Sequence, residues 1–484
     1  MPLPLILIRH SKTCLLLFPE NGGILKSDEM NFIQSKFPKI LGLITNGHER
    51  SVKAKKNILA SFLIKGLGIA ISLVLVPLTI NYINPSRYGI WLTLSSIIGW
   101  FSFFDIGFGN GLRNKFAEAQ AKGEHELARI YVSTTYAILS IIIGAVLILF
   151  LCVNPFINWA RILNTTQDMA GELSILVIIV FVFFCLRFVF QLLNTVLNAN
   201  QEPAKASFFD LLGSLLSLLI IFILTKTTAG NLILLGTVFS LTPVLVLVAS
   251  SFWFYRHDYK KFAPSVKFVK FSYARNLMSL GIKFFIIQIA ALVLFNTNNI
   301  IVTQLFGPAE VTTFNVSFKL FSIITMVFSI IAGPLWSAFT DAYAKEEFDW
   351  IKSTLAKMRK VWGLLIISTF ILLAFSPWVY KMWVGDSVAV PFALSAAMSS
   401  YVIVYIWQTI HVFFLNGIGK IRLQLYLVIF SGLINIPLAI FLGKKMGLVG
   451  ITLTSTMLFI FMGILFSIQT KKILDKTAVN IWNK

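Results

Sequence analysis

The chain has 484 residues, of which 57% are hydrophobic and only 13% charged, against roughly 25% charged in an ordinary soluble domain. Its net charge of +21 sits in short loops between long apolar runs, which makes it a matter of membrane orientation and argues against a nucleic-acid partner. Apolar runs of about 20 residues recur from end to end, each able to cross a hydrocarbon core of about 30 Å as a helix, and no soluble catalytic domain fits between them.

Residues 1–56 read as a cytoplasmic extension whose apolar stretches are too short to span. Residues 1–29 are expected to be dispensable, with Met30 a candidate start. About twelve spans follow, at 57–82, 88–109, 131–153, 172–197, 207–225, 231–254, 277–305, 312–340, 361–383, 391–415, 425–443 and 447–469. They divide into a first half over 57–254, a cytoplasmic linker over 255–276, a second half over 277–469 and a tail over 470–484. Lys53, Arg113, Arg129, Lys260, Arg275, Lys352, Lys420 and Lys471 collect on one side, whereas Arg87, Arg161, Lys226, Lys444 and Lys445 are nearly alone on the other. Basic loops stay inside, so both termini are expected in the cytoplasm.

The two halves repeat. Phe116 opens F-A-E-A-Q-A-K-G-E-H-E and Phe339 opens F-T-D-A-Y-A-K-E-E-F-D, an offset of 223 residues that also carries Pro85 onto Pro308. Ile64-Lys65 against Ile282-Lys283 runs at 218, so the second copy carries a five-residue insertion between these landmarks. Six spans per half is an even number, which makes the halves parallel repeats about an axis along the membrane normal. The residues from Asn110 to Ile130 read as an amphipathic connector with Leu112, Phe116, Ala119 and Leu127 on its apolar side.

Polar residues inside the spans carry the chemistry, because an ionisable side chain at depth costs roughly 2.5 to 3.5 kcal/mol and usually faces a bundle interior or a watery cavity. The candidate substrate-binding cations are Lys65, Arg187, Lys283 and Lys319, with Gln191, Asn194, Asn298 and Asn315 as further polar lining. Each cation sits on a polar stripe at helical spacing; Thr312, Asn315, Lys319, Ser322 and Ser329 form the most regular one. Snorkelling to the surface competes with this role for Lys65, Lys283 and Lys319, and interhelical hydrogen bonding competes with it for Gln191, Asn194 and Asn298.

The acids within the spans, Asp105, Glu172 and Asp210, lie close to helix ends. A pump for cations wants buried carboxylates, whereas buried cations without them suit an anion, above all a phosphate or diphosphate. Cys14, Cys152 and Cys185 have no metal-ligand spacing, and the sequence carries no Walker-type loop and no catalytic dyad. No cofactor, metal or enzymatic step is expected. G-F-G-N-G over Gly107–Gly111 reads as a close-packed helix end rather than a phosphate cradle.

P-L-T-I-N-Y-I-N-P-S-R-Y-G-I-W from Pro77, followed by D-I-G-F-G-N-G-L-R-N-K-F-A-E-A from Asp105, resembles the polysaccharide and O-antigen lipid flippases of the multidrug/oligosaccharidyl-lipid/polysaccharide exporter superfamily. The resemblance covers roughly residues 50–470. It implies an all-α membrane protein of about twelve helices in two pseudo-symmetric six-helix lobes, V-shaped, in a bacterial inner membrane. It also implies movement of an undecaprenyl diphosphate-linked oligosaccharide by alternating access in lipopolysaccharide, capsule or exopolysaccharide synthesis. The partners it implies are that lipid-linked sugar, membrane lipids, a coupling proton or sodium ion, and other polysaccharide-assembly proteins. Asp105, Asn110 and Arg113 belong to the matching motif at the cytoplasmic end of the second span. The alternative on the same fold is a drug or small-metabolite/cation antiporter; the drug exporters generally carry an acid in the first span, where this chain has Lys65. A membrane polymerase or ligase of the same pathway ranks lower, because the longest outer loop covers only about residues 154–171.

Overall fold

The computed structural model describes residues 49–101, 108–200, 202–275, 277, 297–332 and 335–483. Contacts divide the chain into residues 1–59, of which only the start of the first helix is described, and residues 60–484, which hold every feature discussed below. In chain order the helices are α1 (Glu49–Ile83), α2 (Pro85–Gly99), α3 (Phe108–Ala121), α4 (His125–Val153), α5 (Ala170–Phe190), α6 (Leu192–Ala199), α7 (Pro203–Thr227) and α8 (Leu232–Arg256). After them come α9 (297–306), α10 (Pro308–Ala332), α11 (Leu335–Ala344), α12 (Phe348–Val384), α13 (Phe392–Gly417) and α14 (Arg422–Leu474).

Among the described residues, 9 stretches are long and apolar enough to cross a membrane. The last is α14, which turns at Gly447 with φ 63, a backbone conformation that glycine reaches without penalty; the spans expected at 425–443 and 447–469 lie on either side of it. Most of the span expected at 277–305, and the end of the one at 88–109, lie outside the described residues. The result is an all-α, multi-pass membrane fold. Rows of exposed apolar side chains, such as Ile141, Ile148 and Leu149 on α4 and Leu364, Ile367 and Ile371 on α12, suit lipid contact.

The 223-residue register reappears in the backbone. Asn84 (φ 73) and Gly307 (φ 90) both adopt left-handed conformations immediately before a helix that opens on proline. Asn84 tolerates that region better than most residues, and its side chain accepts the Arg87 N–H at 3.0 Å. At the other end of the bundle, Gly123 (φ 74) and Glu346 (φ 58) make the same turn. Glu124 N–H donates to the Ala119 carbonyl and Glu347 N–H to the Ala342 carbonyl, each at 2.9 Å. Phe116 and Phe339 are both fully buried, the first edge-on to Phe262 at 5.0 Å and the second edge-on to Phe414 at 5.5 Å.

These turns refine two expectations. The connector from Asn110 to Ile130 is not one helix: it breaks at Gly123, and α4 starts at His125 rather than 131. Likewise α12 begins at Phe348 rather than 361. The helical hydrogen-bond ladder continues past the membrane boundary, because charged residues on an exposed turn cost nothing in water, and hydropathy sees only the apolar part.

Candidate functional site

Helices α2 and α10, which correspond under the repeat, pack against each other. A Cβ built on Gly89 would fall 1.7 Å from the Pro308 carbonyl oxygen, so only glycine allows this approach. Reciprocally, Thr312 Oγ1 donates to the Pro85 carbonyl at 2.6 Å. Gly89 corresponds to Thr312 and Pro85 to Pro308, so one contact maps onto the other, as contacts across a two-fold axis do.

A polar seam extends from this contact. Thr93 and Thr303, both fully buried, bring their hydroxyls to 2.5 Å. Asn315 Nδ2 donates to Asn299 Oδ1 and Asn299 Nδ2 donates to Ser96 Oγ, both at 2.8 Å. From the loop after α4, Asn164 Nδ2 donates to the Thr303 carbonyl at 2.8 Å, and the Ile162 carbonyl accepts from Gln304 Nε2 at 2.6 Å. Trp383 Nε1 of α12 donates to the Leu73 carbonyl of α1 at 2.8 Å. The seam therefore ties helices of the first half to helices of the second at the end of the bundle that carries Pro85 and Pro308. Asn298 Nδ2 instead reaches Ser455 Oγ at 3.3 Å on α14, while its Oδ1 is buried without a partner.

Lys319 follows Asn315 by one turn on α10. That helix serves two cores: Val316 and Leu320 pack with Leu94 and Tyr380, whereas Phe314, Phe321 and Phe328 pack with Met398 and Phe414. Lys319 is half-buried beside the first of these faces, and among the described residues no carboxylate pairs with it. Ser322 Oγ donates to its carbonyl at 2.8 Å.

The other described candidate cations are exposed. Arg187 is exposed in the last turn of α5, and Asp210 of α7 lies within its electrostatic reach. The two belong to segments close in the chain, a proximity that helical periodicity along either one does not reveal. Lys65 is exposed on α1, and Gly68 nearby lies 4.0 Å, measured from a built Cβ, from Leu211 next to Asp210. Lys65, Arg187 and Asp210 thus share one region of the first half. Gln191 is exposed at the break between α5 and α6, and Asn194 is buried with Oδ1 unpartnered. Asn110 falls in the first turn of α3 and Arg113 is exposed on the same helix. Lys283 and Asp105 lie outside the described residues. On α3, Glu118 bridges Lys115 and Lys122 at 2.8 Å each, and these two ammonium groups hold its carboxyl down to about 2.

The fold is that of membrane transporters. The inward-facing structure of a multidrug resistance MATE family transporter of the MOP superfamily matches with a TM-score of 0.70 at 14% identity, covering 87% of this chain and 100% of that one. An outward-facing structure of such a transporter matches at 0.63 with 15% identity, covering 91% and 98%. Residues 54–341, more than half of the chain, match the family described as polysaccharide biosynthesis protein, and the chain belongs to that family. A protein of Yersinia pseudotuberculosis, provisionally named an O-antigen export protein, is 22% identical over 366 residues, 74% of this chain and 81% of its own length. The chain is thus a polytopic membrane protein of the polysaccharide biosynthesis family with the fold of MOP-superfamily transporters.

Proposed function

We propose that the protein moves an undecaprenyl diphosphate-linked oligosaccharide, an O-antigen, capsule or exopolysaccharide unit, from the cytoplasmic to the outer leaflet of a bacterial inner membrane by alternating access. The observation that carries this reading is Lys319, a half-buried cation without a carboxylate partner among the described residues, set beside a seam that joins helices of the two halves. Membership in the polysaccharide biosynthesis family supports the substrate class. Lys65, Arg187 and Lys283 would receive the diphosphate from the cytoplasmic side, with Asp210 limiting how tightly Arg187 holds it, and Lys319 would take it over. Gln191, Asn194, Asn298 and Asn315 would line the path, and the lipid tail would stay in the bilayer. Asp105, Asn110 and Arg113 would shape the cytoplasmic mouth. A coupling proton or sodium ion and other polysaccharide-assembly proteins would complete the system.

The architecture that goes with it is about twelve helices in two six-helix lobes, over 57–254 and 277–469, joined by a linker over 255–276 and flanked by an extension over 1–56 and a tail over 470–484. The reciprocal Gly89–Pro308 and Thr312–Pro85 contacts support a two-fold relation between the lobes. With both termini cytoplasmic, the seam would lie at the outer end and would hold the two lobes together on that side. Deleting the gene in its host tests the function: surface polysaccharide should vanish and the lipid-linked precursor should accumulate, whereas changed resistance to cationic dyes with normal polysaccharide would indicate drug export instead.

Orientation has its own test. In a variant lacking Cys14, Cys152 and Cys185, single cysteines at the exposed positions Asp168 and Ser387 should react with an impermeant thiol reagent added to intact cells, and one at Glu124 should not. Labelling at Glu124 alone would invert the topology.

A further inference from the structure

A cavity of about 360 Å³ opens between α12, α13 and α14 at the end of the bundle that carries Gly123 and Glu346. Its lining includes Lys352 and Arg359 from α12, Trp407 and His411 from α13, and Lys471 from α14. Asp475 also lines it. Among the described residues none of the three cations lies within 4 Å of a carboxylate, although Asp475 shares the cavity. Positive charge is therefore in surplus there. His411 is buried and its Nδ1 lies 3.1 Å from Thr470 Oγ1, which fixes the ring. The Trp407 ring is seated against Gly463, where a Cβ would meet it at 2.5 Å, so this wall has a defined position.

The surface next to the cavity is apolar and faces outward. On α14 the exposed side chains Ile460, Ile464 and Ile468 follow one another turn by turn toward Lys471. On α12 the exposed Ile367, Phe370 and Ile371 continue away from Arg359 into the apolar part of the helix. Two exposed apolar stripes thus run up to cations of two different helices that line the same cavity. Several donors from separate directions fit the three or four oxygens of a phosphate better than the two of a carboxylate. A basic pocket between membrane helices with acyl-sized apolar tracks below it is the geometry that holds a phospholipid by its head.

We propose that this cavity is a phosphate-binding site, set to take the headgroup phosphate of an anionic membrane lipid whose acyl chains lie along the stripes of α12 and α14. It is separate from the seam and from Lys319, and it holds whichever way the chain is oriented in the membrane.

The test is native mass spectrometry of the purified full chain, titrated with phosphatidylglycerol and, separately, with phosphatidylcholine, alongside calorimetry with inorganic phosphate. Phosphatidylglycerol should be retained over phosphatidylcholine, and the Arg359→Gln, Lys471→Gln double variant should bind it about tenfold more weakly or worse, because a charge-assisted hydrogen bond is lost at each position. Arg359→Lys should keep most of the binding, because the charge and a phosphate donor remain. Lys444→Gln with Lys445→Gln, on the far side of the Gly447 turn, should change nothing. Saturable binding of inorganic phosphate that displaces phosphatidylglycerol and is lost in the same double variant would assign the site to a soluble phosphate. Equal retention of phosphatidylglycerol by the double variant, or equal retention of phosphatidylcholine by the unaltered protein, would overturn the proposal.

Discussion

Oxidising a cysteine pair placed at Thr93 and Thr303 is expected to stop transport, and reduction to restore it. The two hydroxyls are 2.5 Å apart and both residues are fully buried, so sulfur atoms in their place would be in direct contact, as a disulfide requires. In a background without Cys14, Cys152 and Cys185 no competing thiol remains. The bond would join α2 to α9 across the seam. Each interhelical hydrogen bond in a membrane protein contributes roughly 0.6 to 2 kcal/mol, so the handful of side-chain bonds in the seam amounts to a few kcal/mol. That is enough to hold the end closed and small enough for differential substrate binding to open it. A covalent bond removes the second possibility. The single variants, Thr93→Cys and Thr303→Cys, should stay active under oxidant, and the reduced pair should approach normal activity. Protein that is crosslinked, as shown by a fragment shift after proteolysis, yet still supports polysaccharide display would mean that the seam does not open during transport.

The features that sequence made legible are those that repeat or that stand out against an apolar background. Pro85 and Pro308, Phe116 and Phe339 share one offset in the sequence, and the backbone reproduces it down to the Glu124–Ala119 and Glu347–Ala342 hydrogen bonds. Asn298 and Asn315 stand out as amides in apolar helices, and both make interhelical hydrogen bonds. Their partners were not legible: Ser455 is 157 residues from Asn298, and Asn299, which accepts from Asn315, donates in turn to Ser96, 203 residues away on α2. A signal for them existed in the run N-T-N-N over Asn296–Asn299, which is too polar for a span that faces lipid alone. Gly89 lies in the motif that carries the resemblance, but its role was not legible there; it comes from the Pro308 carbonyl that fills its place. The proximity of Arg187 and Asp210 was hidden for a related reason. Periodicity describes one helix at a time, whereas the partner of a membrane charge is chosen by the neighbouring helix.

Lys319→Gln should leave the protein at normal levels in the membrane and abolish surface polysaccharide, with the lipid-linked precursor accumulating on the inner leaflet. Insertion should be easier, if anything, because an ammonium at depth costs roughly 2.5 to 3.5 kcal/mol more than an apolar side chain and a neutral amide costs less. Packing of α10 should survive, since Val316, Leu320, Phe314 and Phe321 carry it on its two faces and Lys319 is only half-buried between them. On the proposed mechanism the variant would lose a charge-assisted hydrogen bond to a phosphate oxygen, roughly 1.5 to 3 kcal/mol, which is about a ten- to hundredfold weakening at the step where Lys319 would hold the substrate. If that step is the hand-over between inward and outward states, the weakening falls on one state more than the other and shifts the population that can release substrate. Lys319→Arg should therefore retain partial function, because the charge remains while its shape and hydration change. A Lys319→Gln protein present at normal levels and fully supporting polysaccharide display would remove the cation from the mechanism. If the same variant instead altered resistance to cationic dyes, the substrate would be a cation, and the half-buried ammonium of Lys319 would act as a charge barrier that the substrate must overcome.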